Sequence, residues 1–517
     1  MKSFQVQIRS AWLRAPLTGT AAAVIGLVCA LSACSTLPAY TKPEVDVPDH
    51  YTSAPQAPAG WSVATPADAS PRGPWWTLFN DPELDRLETR IDVSNQSVKK
   101  AVAQLQAARA MLDYQRAGYA PTVTAGIAQS RTRFSQNVLG HSLAGQTVPD
   151  YSVGVAASWE PDLFGRIKDA TVNARDTVQA SEADLQSVRL SMASDLATDY
   201  FDLRSLDIQK KLLDDTVAAY AASLRIVQRQ FAAGGIDASA VAEARTQLDS
   251  TRTQDTDLDV QRAQLQHAIA TLVGVPASSF RLPAVSASER GGGPSSPDSA
   301  AATLPQIPPG LPSQLLERRP DIAAAERRVA AANAQIGQAR AAFYPDLTLS
   351  ATAGLESTYF APWLTAPSLL WSIGSQLVGT LFDGGRRDAT LKGATAQYDT
   401  TVADYRQTVL VAFQQVEDNL SALQTLASEA DTQQRATAAA QQALQLTMNR
   451  YQAGAVSYLD VVTSQTIALA NERTSDQIEA RRIDASVGLL KALGGGWDRA
   501  SLTGVAAADG KTSEMSE

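Results

Sequence analysis

The chain has 517 residues, 53 acidic against 44 basic, a net charge of −9 and only two cysteines. That balance is wrong for a nucleic-acid binder, which needs clustered Lys and Arg, and two cysteines cannot supply a disulfide framework. His50, His141 and His267 are scattered, so no metal site is expected. There is no Walker loop, no Gly-x-Ser-x-Gly and no supported pair of catalytic carboxylates, so neither an enzyme nor a cofactor is expected.

At the N-terminus Lys2, Arg9 and Arg14 lead into an uncharged apolar run from Leu17 to Ala33, closing on Leu31-Ser32-Ala33-Cys34. A basic start with a short apolar stretch reads as an export signal over 1–33, not as a spanning helix. Its removal takes Cys29 away and changes the net charge from −9 to −12, leaving Cys34 as the sole cysteine. No later stretch offers the roughly 18 apolar residues of a transmembrane helix, so any membrane crossing must be made by strands. Residues 34–74, rich in Pro, Ala and Asp, read as an extended arm.

The first helix opens at Trp75-Trp76-Thr77-Leu78-Phe79-Asn80-Asp81-Pro82, with Asp81 as N-cap and Pro82 in the first helical position. Val98, Ala101, Val102, Leu105 and Ala108 then form one apolar stripe at helical spacing. Two alternating segments follow. Thr122 to Arg133 is the weaker, and Tyr151, Val153, Val155, Ala157 and Trp159 alternate with small or polar residues. From Ile167 to Ala233 there is neither Gly nor Pro, and Leu213, Val217, Tyr220, Leu224, Val227 and Phe231 step in a heptad seam. Gly234 and Gly235 break this helix, and a second returns antiparallel.

A linker over 276–311, with Gly291-Gly292-Gly293-Pro294, joins this copy (75–275) to a second (312–497), before a flexible tail over 498–517. Gln228 to Gly274 aligns onto Met448 to Gly494 without a gap, and Arg116, Pro121 and Thr124 answer Arg340, Pro345 and Thr348. The second copy repeats the order: helix, alternating segments (Leu347 to Glu356 and Trp371 to Phe382), a long helix with the seam Val409, Phe413, Val416, Leu420 and Leu423, a break at Gly454, and a return helix. A repeat this long is a duplicated structural unit. Each alternating segment is long enough to cross a bilayer when tilted. Four strands cannot close a barrel and an open edge is intolerable in lipid, so either the sheet sits in water or several chains share one barrel. A stalk carrying a soluble sheet therefore remains open beside a channel.

Several stretches together are similar to the outer-membrane efflux channel family, the TolC-like outer-membrane factors of the NodT-type lipoprotein branch. They are the lipobox at Cys34, Trp75 to Phe79, Trp159-Glu160-Pro161-Asp162-Leu163-Phe164-Gly165-Arg166, Leu311 to Ile322, Ala339 to Pro345, Phe382-Asp383-Gly384-Gly385-Arg386 and Arg450 to Gly454. The resemblance implies a mixed α/β membrane protein. Three chains share a 12-stranded barrel, four strands from each, and the helical hairpins form a periplasmic coiled-coil barrel. It further implies a homotrimer acylated at Cys34, with Ser35 permitting outer-membrane sorting. Its partners would be a periplasmic adaptor and an inner-membrane RND-type pump, and its role that of a passive exit duct.

The resemblance also implies a gate at the turns Phe231 to Val241 and Tyr451 to Val461. Asp460 reads there either as a ring of carboxylates under threefold symmetry or as a plain helix cap. The first copy has Ala240 at the equivalent position and Asp237 three residues earlier. Tyr451 and Arg450 read either as iris-closing residues or as seam packing. Gly165, Arg166, Gly384, Gly385 and Arg386 read as strand-to-helix turns, the glycines allowing positive φ. Arg318-Arg319-Pro320-Asp321 reads as a helix start.

Overall fold

The computed structural model describes residues 37–48, 50–53, 74–137, 143–284 and 318–495. Cys34, the export signal, most of the linker and the tail lie outside them. Among the described residues the elements are α1 (Pro82–Ser94), α2 (Gln96–Ala117), β1 (Thr122–Arg133), β2 (Thr147–Trp159), α3 (Arg166–Ala232) and α4 (Ala238–Leu272). The second copy follows with α5 (Pro320–Ala341), β3 (Asp346–Ser357), β4 (Leu369–Val378), α6 (Arg386–Gln452) and α7 (Tyr458–Ala492). Corresponding helices match in length: 22 residues for α2 and α5, 67 for α3 and α6, 35 for α4 and α7. At about 1.5 Å per residue the longest extend on the order of 100 Å.

The chain divides into two packed units. One takes residues 108–177 and 328–401 together with the start of the arm, and holds the sheet. All four strands are antiparallel in the order β1-β2-β3-β4, so β1 and β4 are the edges. β2 pairs β3 only from Tyr151 onward, so Pro149, which has no N–H to donate, sits where β2 has one neighbour. The fourth strand differs from the alternating segment Trp371 to Phe382. It starts two residues earlier and stops at Val378, opposite Asp346. The residue before Asp346 is Pro345, which cannot donate to a further rung, and Phe382 is left 89% exposed. In the same unit Asn333 Nδ2 donates to the carbonyl of Pro38 at 3.0 Å, which fastens the arm to α5.

The other unit takes the remaining helical lengths. Asp81 caps α1 through Oδ1, accepting from the backbone N–H of Glu83 (2.9 Å) and Leu84 (3.1 Å). Its other oxygen accepts from the Tyr200 hydroxyl at 2.7 Å, so the cap also pins α1 to α3. The α2 stripe packs inward, with Val98, Ala101 and Leu105 buried. In the α3 seam Leu213, Tyr220 and Val227 are buried, as are Val409, Val416 and Leu420 in α6. Phe231, the last member of the α3 seam, is 47% exposed because the helix ends one residue later. Tyr51 of the arm joins a core with Val416, Leu420, Leu489 and Leu493, and the next two backbone N–H groups donate to Glu417 at 2.7 and 3.0 Å. No helix is long and apolar enough to cross a membrane among the described residues.

Candidate functional site

The sheet has two faces of opposite chemistry, and the register fixes which residues share each. Odd-numbered residues pair with odd across every rung. One face therefore carries Val123 and Ile127, Tyr151, Val153, Val155 and Trp159, Leu347 and Leu355, and Leu369, Trp371, Ile373 and Leu377. The opposite face carries Thr124, Ser130, Asp150, Ser152, Asp346, Thr348, Thr352, Glu356, Ser372 and Gln376, with a few small or apolar exceptions. On that face the hydroxyls of Thr352 and Ser372 bond across the strands at 2.8 Å.

The apolar face is not covered. Ile373 is 79% exposed and Trp371 is 70% exposed. Leaving so much contiguous apolar surface in water would cost about 25 cal/mol for each Å², so this face is built for a hydrocarbon environment. Trp159 and Tyr151 stand eight residues apart on β2, about 27 Å along the strand at 3.4 Å per residue, which the tilt of barrel strands reduces to about 20 Å of height, most of the apolar band of an outer-membrane barrel. Each aromatic end is fixed. Trp159 Nε1 donates to the carbonyl of Tyr119 at 2.9 Å, while Tyr151 packs on Phe360 and Trp363 with centroids 5.5 and 5.9 Å apart.

The strand-to-helix turns adopt the left-handed backbone: φ is +81° at Gly165, +66° at Gly384 and +87° at Gly385. Arg166 grips Glu160 with a forked guanidinium at 2.7–3.0 Å. In the second copy the equivalent work falls to Arg387 and not to Arg386. Arg387 Nε donates to Asp383 at 2.7 Å and its guanidinium lies 5.3 Å above the Phe343 ring. Arg386 begins α6 with an exposed side chain.

The helix-tip turns lie in the other unit. After α3, Gly234 (φ +74°) donates to the carbonyl of Phe231, and Gly235 to that of Gln230. After α6, Gly454 (φ +73°) donates to Tyr451, and Ala455 to Arg450, so both turns close with the same doubly bonded C-terminal motif. The N-caps differ. Asp237 caps α4, accepting from Ala240 N–H at 3.1 Å. The cap of α7 is Ser457, whereas Asp460 is its reciprocal partner and accepts from the Ser457 N–H at 2.9 Å. Both carboxyls are held below the usual aspartate range, Asp237 first by Ser239 and Asp460 first by the Ser457 hydroxyl. Arg450 adds an attractive charge beside Asp460.

Tyr451 joins the two tips. Its hydroxyl donates to Gln230 Oε1 at 2.8 Å, and its ring packs edge-on to Tyr458 at 5.7 Å. Beneath lies a core of Val227, Ala244, Tyr458 and Val461 contributed by both hairpins. Gln230, Ser457 and Arg387 are absent from the residues singled out by sequence. Ser457-x-x-Asp460 carries a readable capping-box spacing, but nothing local marks Gln230, whose partner is 221 positions away.

A strand sector with an apolar outer and a polar inner face, joined to paired long hairpins, defines a segment of a membrane channel. The chain belongs to the outer membrane efflux protein family, whose pattern it matches over residues 90–275 and 311–495. It is similar to outer membrane protein OprJ of Pseudomonas aeruginosa, 31% identical across 94% of this chain and 97% of that protein. Cation efflux system protein CusC of Escherichia coli is 30% identical across 91% of this chain and 97% of its own length. Among solved structures, the outer-membrane channel OprN superposes with a TM-score of 0.79 at 27% identity, covering 90% of this chain and all of the other.

Proposed function

We propose that the chain is one third of an outer-membrane exit duct in a tripartite efflux system. The carrying observation is the four-stranded sheet with an exposed apolar face and two unpaired edges. In lipid those edges must be closed. β1 of one copy pairing with β4 of the next closes them, and three copies, the number the family resemblance implies, give twelve strands. The apolar face then meets lipid, and Asp150, Asp346 and Glu356 face the lumen. The four long helices of each chain give twelve around a periplasmic conduit that meets an adaptor and an RND-type pump. Cys34, acylated, adds a lipid anchor, and the arm's attachments at Asn333 and Glu417 hold the chain that follows it.

The duct needs no cofactor, because passage is passive and the pump supplies the energy. The relatives support a cargo chosen upstream. Proteins named for pyoverdine export, cation efflux and toluene efflux are similar to this chain at 33, 30 and 32% identity. Detergent-extracted outer membranes test the reading. A crosslinked trimer that resists mild SDS, collapses on boiling and conducts in planar bilayers is the expected result. A monomer released by alkaline carbonate, with no conductance, overturns it.

A further inference from the structure

The apolar face of the sheet carries charge at two positions only among its four strands, Arg131 and Arg133. Both share the parity of Val123 and Ile127, and both are exposed. Among the described residues neither guanidinium has an ion-pair partner. None is available nearby in sequence either, since residues 134–146 and 358–368 contain no acidic side chain. The acids of the sheet, Asp150, Asp346 and Glu356, all stand on the opposite face.

The register fixes the level of the two arginines. Gln129 pairs with Tyr151, so Arg131 lies one same-face step beyond the aromatic cluster of Tyr151, Phe360 and Trp363, about 7 Å along the strand. Arg133 lies a further step out. This is the hairpin-loop end of the strands, away from the end that runs into α2 and α3. On the proposed barrel, a reading on which this inference rests, that end faces the outer leaflet. An uncompensated Arg is strongly disfavoured on a lipid face at mid-bilayer and tolerated at the interface, which fits the rim and leaves the counter-charge to be supplied.

The geometry points to a docking site for the headgroup of a phosphorylated, multiply acylated glucosamine lipid of the outer leaflet. Its phosphates would lie between Arg131 and Arg133, and its chains would run down over Ile127, Val153 and Val155. Guanidinium forks match phosphate oxygens in pairs, and the alternating apolar residues below receive acyl chains by burial alone. The aromatic cluster would sit beside the sugar at the headgroup level. The lipid would thus hold the first strand of each sector in place, close to the seam where neighbouring chains must pair.

The test uses the trimer purified in detergent, titrated in native mass spectrometry with bisphosphorylated lipid A, with its dephosphorylated counterpart, and with inorganic phosphate as competitor. The wild type should hold the bisphosphorylated lipid about tenfold more tightly than the dephosphorylated one. R131Q/R133Q should lose that preference, and R131K/R133K should keep part of it, because charge survives while the fork is lost. Equal retention of both lipids by the wild type, or an undiminished preference in R131Q/R133Q, overturns the site. Complete displacement by millimolar inorganic phosphate also overturns it, since the site would then take a free anion. The wild-type comparison stands even where a variant fails to assemble. If the wild type yields no SDS-resistant trimer, the barrel itself fails and the lipid site with it. A normal trimer without lipid preference sinks this inference alone.

Discussion

The two helix-tip turns solve one problem with different parts. Gly234 and Gly454 occupy equivalent positions with φ within a degree of each other, and each turn closes with the same pair of backbone bonds. Beyond the glycine they diverge. The first turn starts its return helix with the single cap Asp237, whereas the second uses the two-way box of Ser457 and Asp460. A single side-chain bond then ties the second turn to the first, from Tyr451 to Gln230. A duplicated element thus keeps the backbone solution that geometry demands and varies the side chains that set how firmly the tip is held. If the tips gate the conduit, the second has the more firmly started return helix, because its cap bonds in both directions.

The largest effect is expected where backbone geometry is the constraint. A Cβ at Gly454 meets nothing within 4 Å, so the cost of Gly454→Val is the strain of a β-branched residue at φ +73°, about 1–3 kcal/mol. Gly235, whose counterpart in the second copy is already Ala455, should accept Val far more easily. Proteolytic nicking at the second turn and basal leak in planar bilayers should both rise for Gly454→Val and stay near wild type for Gly235→Val. Equal behaviour of the two would show that the turns are not held by the left-handed residue. Next comes the cap. Ser457→Ala should destabilise the α7 start by about 0.5–2 kcal/mol, with faster amide exchange over residues 458–461. Asp460→Ala removes the other half of the box and should raise leak and vancomycin sensitivity, whereas unchanged conductance in that variant would remove Asp460 from the gate.

Much of this difference is invisible to a reading of the sequence, for reasons of range. The seams through Leu213 and Val409, the α1 cap at Asp81 and the succession of strands and long helices in each copy are local signals, and the structure shows them, whereas the break at Asn95 that splits the first helix into α1 and α2 has no counterpart in the expected order. The alternation along Tyr151 to Trp159 and Leu347 to Glu356 identifies strands for the same reason. The end of β4 depends on its partner, because Pro345 on the neighbouring strand terminates the ladder and nothing in Trp371 to Phe382 says so. That a single parity makes one apolar face across four strands is likewise a property of register, which residues 200 positions apart must agree on. Gln230, and the preference for Arg387 over Arg386, are choices among neighbours that only packing resolves. Ser457 is the exception, since its three-residue spacing to Asp460 is a local capping-box signal.

The Tyr451 contact sets a smaller step. Tyr451→Phe keeps the ring against Tyr458 and removes one exposed hydrogen bond, about 0.5–1.5 kcal/mol with the lower end expected at a wet site. A double-mutant cycle with Gln230→Ala in the leak assay should show coupling between the two positions, and strict additivity would mean that the bond does not hold the tips together. Acidification gives the mildest effect and tests both turns at once. Asp237 and Asp460 are held below their ordinary value of 3.8 in the folded chain. Their contribution is therefore complete above that value and is lost as pH falls through the lower folded-state value. Tip protection from amide exchange should be flat from neutral pH down to about 4 and decline below it. Ser457→Ala should blunt the decline at the second turn only, because it removes the hydroxyl that donates to Asp460 and leaves Asp237 with Ser239 and Ala240. A decline that sets in near neutral pH would instead assign tip stability to other groups, and the two caps would then be passengers of the turns they begin.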